Sequence, residues 1–223
     1  MNDYEIETEE YLRHGIRLFQ AHILGNSELE HAVAFYNLCM PSGVGVDMGC
    51  GIGEMGHLLR LVDPSLAVIG VTNCEAQSHY MTSIQREHIF ADYHSVPLQD
   101  GVADFVMFNE SIGYADLDVV LAESARLLKK NGKLLIRDFC NTTSTTEPFY
   151  LKSWAYTQYP INVLVDKTAA NGMTMNFFLK PKTNFARFKN VLLSSRFKQW
   201  HDDSSEGNYD AKMTPMLCSF SKL

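Results

Sequence analysis

Three glycines at alternate positions, Gly49, Gly51 and Gly53, follow the acidic Asp47 at the end of a short apolar run. Glycine admits the positive φ angles of a tight turn and lets a ligand come close to the backbone. Where such a loop opens a helix, unpaired N–H groups and a partial positive charge face an anion such as a carboxylate. The spacing is G-x-G-x-G, not the G-x-G-x-x-G of dinucleotide enzymes. A pyrophosphate gains nothing from the neighbouring Asp47 carboxylate, whereas a ligand carrying an ammonium and a sulfonium does. The plainer alternative is a glycine turn that serves only helix–strand packing. Two further polar clusters follow apolar runs: Asp92-Tyr93-His94 after His88–Ala91, and Asn109-Glu110-Ser111 with Tyr114 after Phe105–Phe108.

Short apolar runs alternating with helical periods must position these residues. Strands are expected at Val44–Asp47, Leu66–Val71, His88–Ala91, Phe105–Phe108, Lys133–Arg137, Met173–Leu179 and Pro215–Ser221. Helices are expected at Met55–Leu61, at Glu75–Gln85, from an Asp116 or Asp118 cap to Lys130, and at Asn184–Leu193. Residues 3 to 40 read as a helical cap, with Leu12, Ile16, Phe19 and Ile23 at helical spacing and a second helix from Ser27 to Leu38. Buried strands separated by helices imply a parallel sheet covered on both faces. The expected fold is doubly wound α/β: a Rossmann-like, mostly parallel seven-stranded sheet, helices on both faces, and the N-terminal helical cap. Ligands bind such sheets outside the carboxyl ends of the strands. Residues 1 to 223 form one domain in this reading. The aromatic stretch 141 to 172, with Phe149, Tyr150, Trp154, Tyr156 and Tyr159, is either a substrate lid or peripheral packing.

The 223 residues carry 26 acidic against 19 basic side chains, a net charge of −7, which disfavours a nucleic-acid partner. The basic cluster Lys180, Lys182, Arg187, Lys189, Arg196 and Lys198 reads as the wet side of a helix. No run reaches the roughly 18 apolar residues of a membrane span. The acidic N-terminus resembles no targeting peptide. Five cysteines without paired spacing point to a reducing, cytoplasmic setting, and the histidines show no ligand spacing, so no metal is expected.

The run Asp47-Met48-Gly49-Cys50-Gly51-Ile52-Gly53, with the landmarks after it, resembles the class I S-adenosylmethionine-dependent methyltransferases over about residues 44 to 140. The resemblance implies that S-adenosyl-L-methionine is the cofactor and that Asp47, Gly49, Cys50, Gly51 and Gly53 touch its methionyl part. Many relatives carry an acid after the second strand for the ribose; here Val71-Thr72-Asn73 stands instead. Thr72, Asn73 and Gln77 look like the variant in sterol and cyclopropane-forming methyltransferases. Asp92 would accept from the adenine amino group, with Tyr93 lining the base and Asn109 completing the cofactor site. Asn109-Glu110-Ser111 and Tyr114 resemble the sterol and geranyl diphosphate C-methyltransferase type, and the Asn/Asp-Pro-Pro-aromatic motif of nucleic-acid methyltransferases is absent.

That resemblance makes a small molecule the expected acceptor. If carbon is methylated, a cation develops, which Glu110 would stabilise, aided by Tyr114 or Tyr93, and His94 is the convenient base by sequence. Alternatively, Glu110 holds a substrate ammonium for N-methylation or caps the next helix, O-methylation is the third option, and a catalytically silent cofactor-binding module the last. Neither nucleic acid nor membrane is an expected partner, and a homodimer is left open as the assembly.

Overall fold

Alternating apolar runs and helical periods place one sheet between two helical layers. The computed structural model describes residues 8–9, 11–18, 23–142, 144, 146–151, 156–182 and 213–223. Helix α1 (Glu28–Cys39) leads into β1 (Val44–Met48), α2 (Glu54–Val62), β2 (Ala67–Thr72), α3 (Glu75–Ser83), β3 (His88–Phe90) and β4 (Ala103–Asn109). A 3₁₀ turn (Ile112–Tyr114) precedes α4 (Leu117–Leu127) and β5 (Leu128–Asn141). Then come β6 (Phe149–Leu151), β7 (Tyr156–Gln158), α5 (Ile161–Ala170), β8 (Met173–Leu179) and β9 (Met213–Lys222).

Seven strands lie in the order β3-β2-β1-β4-β5-β9-β8, while β6 and β7 form a separate hairpin. The first five are parallel; β9 runs antiparallel to β5, and β8 to β9. The strand order reverses between β1 and β4, and that crevice is where such sheets bind ligands. On one face Val46, Met48, Val106 and Phe108 pack under Val120 and Leu121 of α4. On the other, Phe105, Met107 and Leu135 meet Phe35 of α1 and Leu58 and Leu59 of α2. Each such side chain contributes about 1.5–3 kcal/mol of burial, so both layers hold the strand ends firmly.

Strand β5 outruns β4. Asn109, the last residue of β4, pairs with Arg137, and the four residues beyond Arg137 run alongside β9 past the end of β4. That overhang sets Asp138 beside the 3₁₀ turn.

The structure also revises the expected boundaries. Helix α4 ends at Leu127 rather than Lys130, and Asn131 turns in the left-handed region at φ 64°. The first helical stretch does not continue to Ile23: Gly15 at φ 71° breaks it, with Ile16 N–H returning to Tyr11 O at 2.9 Å. Ser27 does cap α1, its Oγ accepting from Glu30 N–H at 3.1 Å. The helix expected at 184–193 and most of the basic cluster lie outside the described residues. Within 141–172, α5 packs Leu164 into the core, so that half is packing; the β6–β7 hairpin remains beside the strand ends.

Candidate active site

Strand β1 ends beneath the glycine loop, and the N–H groups of Gly49 and Cys50 both donate to Val71 O at 3.0 Å, tying the loop to the end of β2. Gly49 has φ 74°. A Cβ there would lie 2.8 Å from Ser111 Cβ and 3.2 Å from Tyr93 Cε1, so only glycine lets the ends of β1, β3 and β4 meet so closely. Ser111 Oγ donates to Met48 O at 2.5 Å and Tyr93 Oη donates to Ser111 O at 3.1 Å, which closes the junction. Gly53 begins α2 with no side-chain cap, as an anion-receiving helix end requires. The Cys50 side chain turns inward, its Sγ 4.0 Å from Met81 Sδ. Burial, then the Asp47 charge, push its thiol up, so Cys50 serves the loop through its backbone.

Past β2, Thr72 Oγ1 donates to Gln77 Oε1 at 2.6 Å and accepts from Cys74 N–H at 3.1 Å, while Gln77 Nε2 donates to Thr8 Oγ1 at 3.3 Å. In the ligand-free chain Gln77 is thus a buried brace for Thr72. Asn73 is exposed, and its amide makes no hydrogen bond among the described residues. Asp92 Oδ1 accepts from His94 N–H at 2.9 Å and lies 2.5 Å from His94 Nδ1, leaving Oδ2 without a donor among the described residues. Burial raises the Asp92 carboxyl, but the His94 hydrogen bonds outweigh it and hold it below the usual range. His94 Nε2 accepts from Asp116 N–H at 3.0 Å. That acceptor role assigns the proton to Nδ1, so both ring nitrogens are engaged. His94 thereby pins the Asp92 loop to the start of α4.

Asp47 lies on the α2 side of the sheet, only 2% exposed. It lines a cleft of about 300 Å³ with Gly53, His57, Arg60, Gly70 and Arg86. Burial alone pushes its carboxyl up to about 7, because no hydrogen bond within the described chain stabilises the charge. Asn109 at the end of β4 is also buried, and neither amide atom has a hydrogen-bond partner among the described residues. A buried amide left so costs about 1–3 kcal/mol, which points to a ligand.

Glu110 follows at φ 53°, with its N–H on Arg137 O at 2.8 Å. Its carboxylate is ion-paired with the Arg137 guanidinium, whose side chain is 1% exposed. It caps no helix, since Asp116 caps α4. Asp138 accepts from Phe139 N–H at 2.7 Å, from Ile112 N–H at 3.3 Å and from Tyr156 Oη. Burial pushes Asp138 up to about 7 and Glu110 adds to that, while the bond from Tyr156 and the charge of Arg137 oppose it. Tyr114 meets Tyr156 edge to face at 4.6 Å between ring centres. Gln158 on β7 is fully buried, and neither amide atom has a hydrogen-bond partner among the described residues.

Sequence reasoning missed Arg137, Asp138, Tyr156 and Gln158. One signal was present: Arg137-Asp138 interrupts an otherwise apolar strand, and buried charges are rarely unpaired.

The loop, the unpaired Asn109 amide, exposed Asn73 and open Asp92 Oδ2 fit a ligand with an amino-acid end, a ribose and an aminated base. A family model described as a methyltransferase domain matches residues 46–136. No curated protein matches the chain by sequence. Among solved structures, it resembles a protein described as a sarcosine dimethylglycine methyltransferase from Galdieria sulphuraria, with TM-score 0.80, 13% identity, and 99% of this chain and 98% of that one covered. The [4+2]-cyclase SpnF gives TM-score 0.78 and 14% identity over 99% and 93%. Geranyl diphosphate C-methyltransferase from Streptomyces coelicolor A3(2) gives 0.71 and 16% over 100% and 98%. These likenesses carry the fold, shared here by a cyclase and by methyltransferases of different acceptors. The match identifies a methyltransferase domain over residues 46–136, and the strand order and glycine loop are those of the class I S-adenosylmethionine-dependent methyltransferases, enzymes whose cofactor is S-adenosyl-L-methionine.

Proposed function

We propose that this enzyme methylates a small molecule at a heteroatom, with the cofactor held by the glycine loop, Asn73, Asp92, Tyr93 and Asn109. When bound, S-adenosylmethionine supplies an electrophilic methyl group on a sulfonium. Gly49, Gly51 and Gly53 present backbone to its methionyl end, Asn73 meets the ribose hydroxyls, and Asp92 Oδ2 accepts from the adenine amino group. The chain's remaining task is to orient an acceptor in line with the methyl group.

One observation carries the heteroatom reading: the Glu110 carboxylate is paired with buried Arg137. Carbon methylation through Glu110 needs a carboxylate whose charge faces a developing cation, and the guanidinium cancels that field at close range. The neighbouring Asp138, raised to about 7, suits proton removal from a heteroatom better than cation stabilisation. The β6–β7 hairpin covers the acceptor in this reading.

Titration calorimetry with S-adenosylmethionine, S-adenosylhomocysteine and NADH tests the assignment of the cofactor residues. Both adenosyl ligands are expected to bind, with at least tenfold weaker binding in Asp92→Ala and Gly49→Ala. Binding of NADH instead, or variants that bind as the parent does, would defeat it. Mass analysis of a product labelled with a deuterated methyl group then reads the bonded atom, and a methyl on carbon rejects the heteroatom reading.

A further inference from the structure

Strand β7 carries a buried amide, that of Gln158, for which the described residues supply no hydrogen-bond partner. Tyr156 and Gln158 alternate with Thr157, are both buried, and so share the inner face of the strand. Tyr156 on that face reaches Asp138, the 3₁₀ turn and Tyr114. Gln158 follows two residues on, and an amide that can make four hydrogen bonds makes none among the described residues. A buried amide in that condition costs stability with no offset from the chain; a ligand with a donor and an acceptor would supply the offset.

We propose that Gln158 and Tyr156 form the acceptor site, that Tyr156 relays the acceptor's proton to Asp138, and that the acceptor is a hydroxyl compound with a second hydrogen-bonding group beside the reacting oxygen. This rests on the heteroatom reading above and narrows it. The acceptor oxygen forms a bond to the methyl carbon as the carbon–sulfur bond breaks, its electron pair going to sulfur. The hydroxyl proton passes to Tyr156 Oη while the proton of Tyr156 passes to the Asp138 carboxylate. The positive charge of the sulfonium and the negative charge of Asp138 vanish together, and Asp138 later returns its proton to solvent. Asp138 acts through Tyr156 and is a positioning and proton-accepting residue.

An ammonium acceptor would need an open carboxylate, but Arg137 holds Glu110, and Asp138 is covered by Tyr156 and two backbone N–H groups. An alkene offers Gln158 nothing to bond. A hydroxyl uses the neutral amide and the tyrosine, and it gains most from proton removal in the transition state.

The groups facing Asp138 are Glu110 and Arg137 at the ends of β4 and β5, Tyr156 on β7, Cys140 on β5 and Cys218 on β9, with Tyr114 of the 3₁₀ turn behind Tyr156. Of these, Asp138 is the one raised to about 7, so turnover should rise with pH through about that value.

The test uses the full chain saturated with S-adenosylhomocysteine, probed by ligand-observed NMR with catechol, 1,2-phenylenediamine and cyclohexene. Catechol is expected to bind in preference to the other two, with Kd raised at least tenfold in Gln158→Leu. In the chain loaded with S-adenosylmethionine, catechol is expected to yield its methyl ether. Tyr156→Phe should lower kcat about a hundredfold with KM changed by less than threefold, and Asp138→Asn should flatten the pH profile. Retained binding of S-adenosylhomocysteine shows that each variant folds. No catechol binding, equal binding by Gln158→Leu, or preference for the diamine or the alkene overturns the acceptor assignment and leaves the cofactor assignment standing. A chain that binds no S-adenosylhomocysteine overturns both.

Discussion

Glu110 and Arg137 show how a single contact redirects a residue's chemistry. A carboxylate at the end of β4 is an attractive cation stabiliser until a buried guanidinium takes its charge. The pair is also a hostage to its own burial, since removing one partner leaves the other charged in a low dielectric. Arg137→Met is expected to destabilise the fold by about 3–5 kcal/mol. The double variant Glu110→Gln with Arg137→Met should recover much of that loss, because no unpaired charge remains. Urea unfolding of the single and double variants checks this, and a single variant as stable as the parent would show that the pair carries no such burden. His94 is the same lesson in reverse: its ring was legible as a candidate base, yet the two bonds that engage both nitrogens come from residues 2 and 22 positions away. Neither partner is readable from the residue itself.

The β6–β7 hairpin is the element on which the acceptor side depends. Its Tyr156 ring lies against Gly113, where a Cβ would come within 2.3 Å of ring carbons and 2.6 Å of Thr157 O. The absence of a side chain at Gly113 is what lets the hairpin seat on the 3₁₀ turn. Gly113→Ala should therefore displace β7 and lower methyl transfer at least tenfold. The glycine loop, whose Gly49 packs against Ser111 and Tyr93 rather than the hairpin, should keep its affinity for S-adenosylhomocysteine within threefold. Calorimetry beside a turnover assay separates the two; equal loss of both would mean that the substitution disturbs the strand ends as a whole. The strands and helices of the 44–141 region were legible because each repeats an apolar period of its own. The hairpin was not, since it interrupts the strand–helix alternation and its aromatic residues fit a lid and a packing layer alike.

At the scale of the whole molecule, buried carboxyls pull stability against pH in opposite directions. Asp47 and Asp138 are raised to about 7 by burial, so the folded state holds their protons more tightly than the unfolded chain does. Their contribution is full below about pH 4 and is lost as pH rises through about 7. Asp104 and Glu123 are lowered: burial raises each, and hydrogen bonds from Lys129 and Arg126 outweigh it. Their contribution is present above about pH 4 and is lost on acidification. The ligand-free chain should thus be most stable near pH 5 and weaken toward pH 8. Asp47→Asn should flatten that decline and stabilise the chain at pH 8 by on the order of 3 kcal/mol. Thermal melts from pH 4 to 9 measure it, and a decline as steep in Asp47→Asn would discount Asp47. No helix among the described residues is long and apolar enough to cross a membrane.

Read alone, the sequence determined the fold class, the glycine loop and the strand ends that carry polar residues, because each is a local pattern of residue type and spacing. It named Asp92 and Asn109, which the fold sets after β3 and at the end of β4 with polar atoms left open among the described residues. Only the tertiary structure decided which polar groups remain open and which are occupied. Gln77 is taken by Thr72 and Thr8, His94 by Asp92 and Asp116, and Glu110 by Arg137. It also brought Tyr156 to Asp138, across 18 residues and two elements of different sheets. Pairing depends on which strand ends the fold sets side by side, and that is a property of packed layers, which no single stretch of chain encodes by itself.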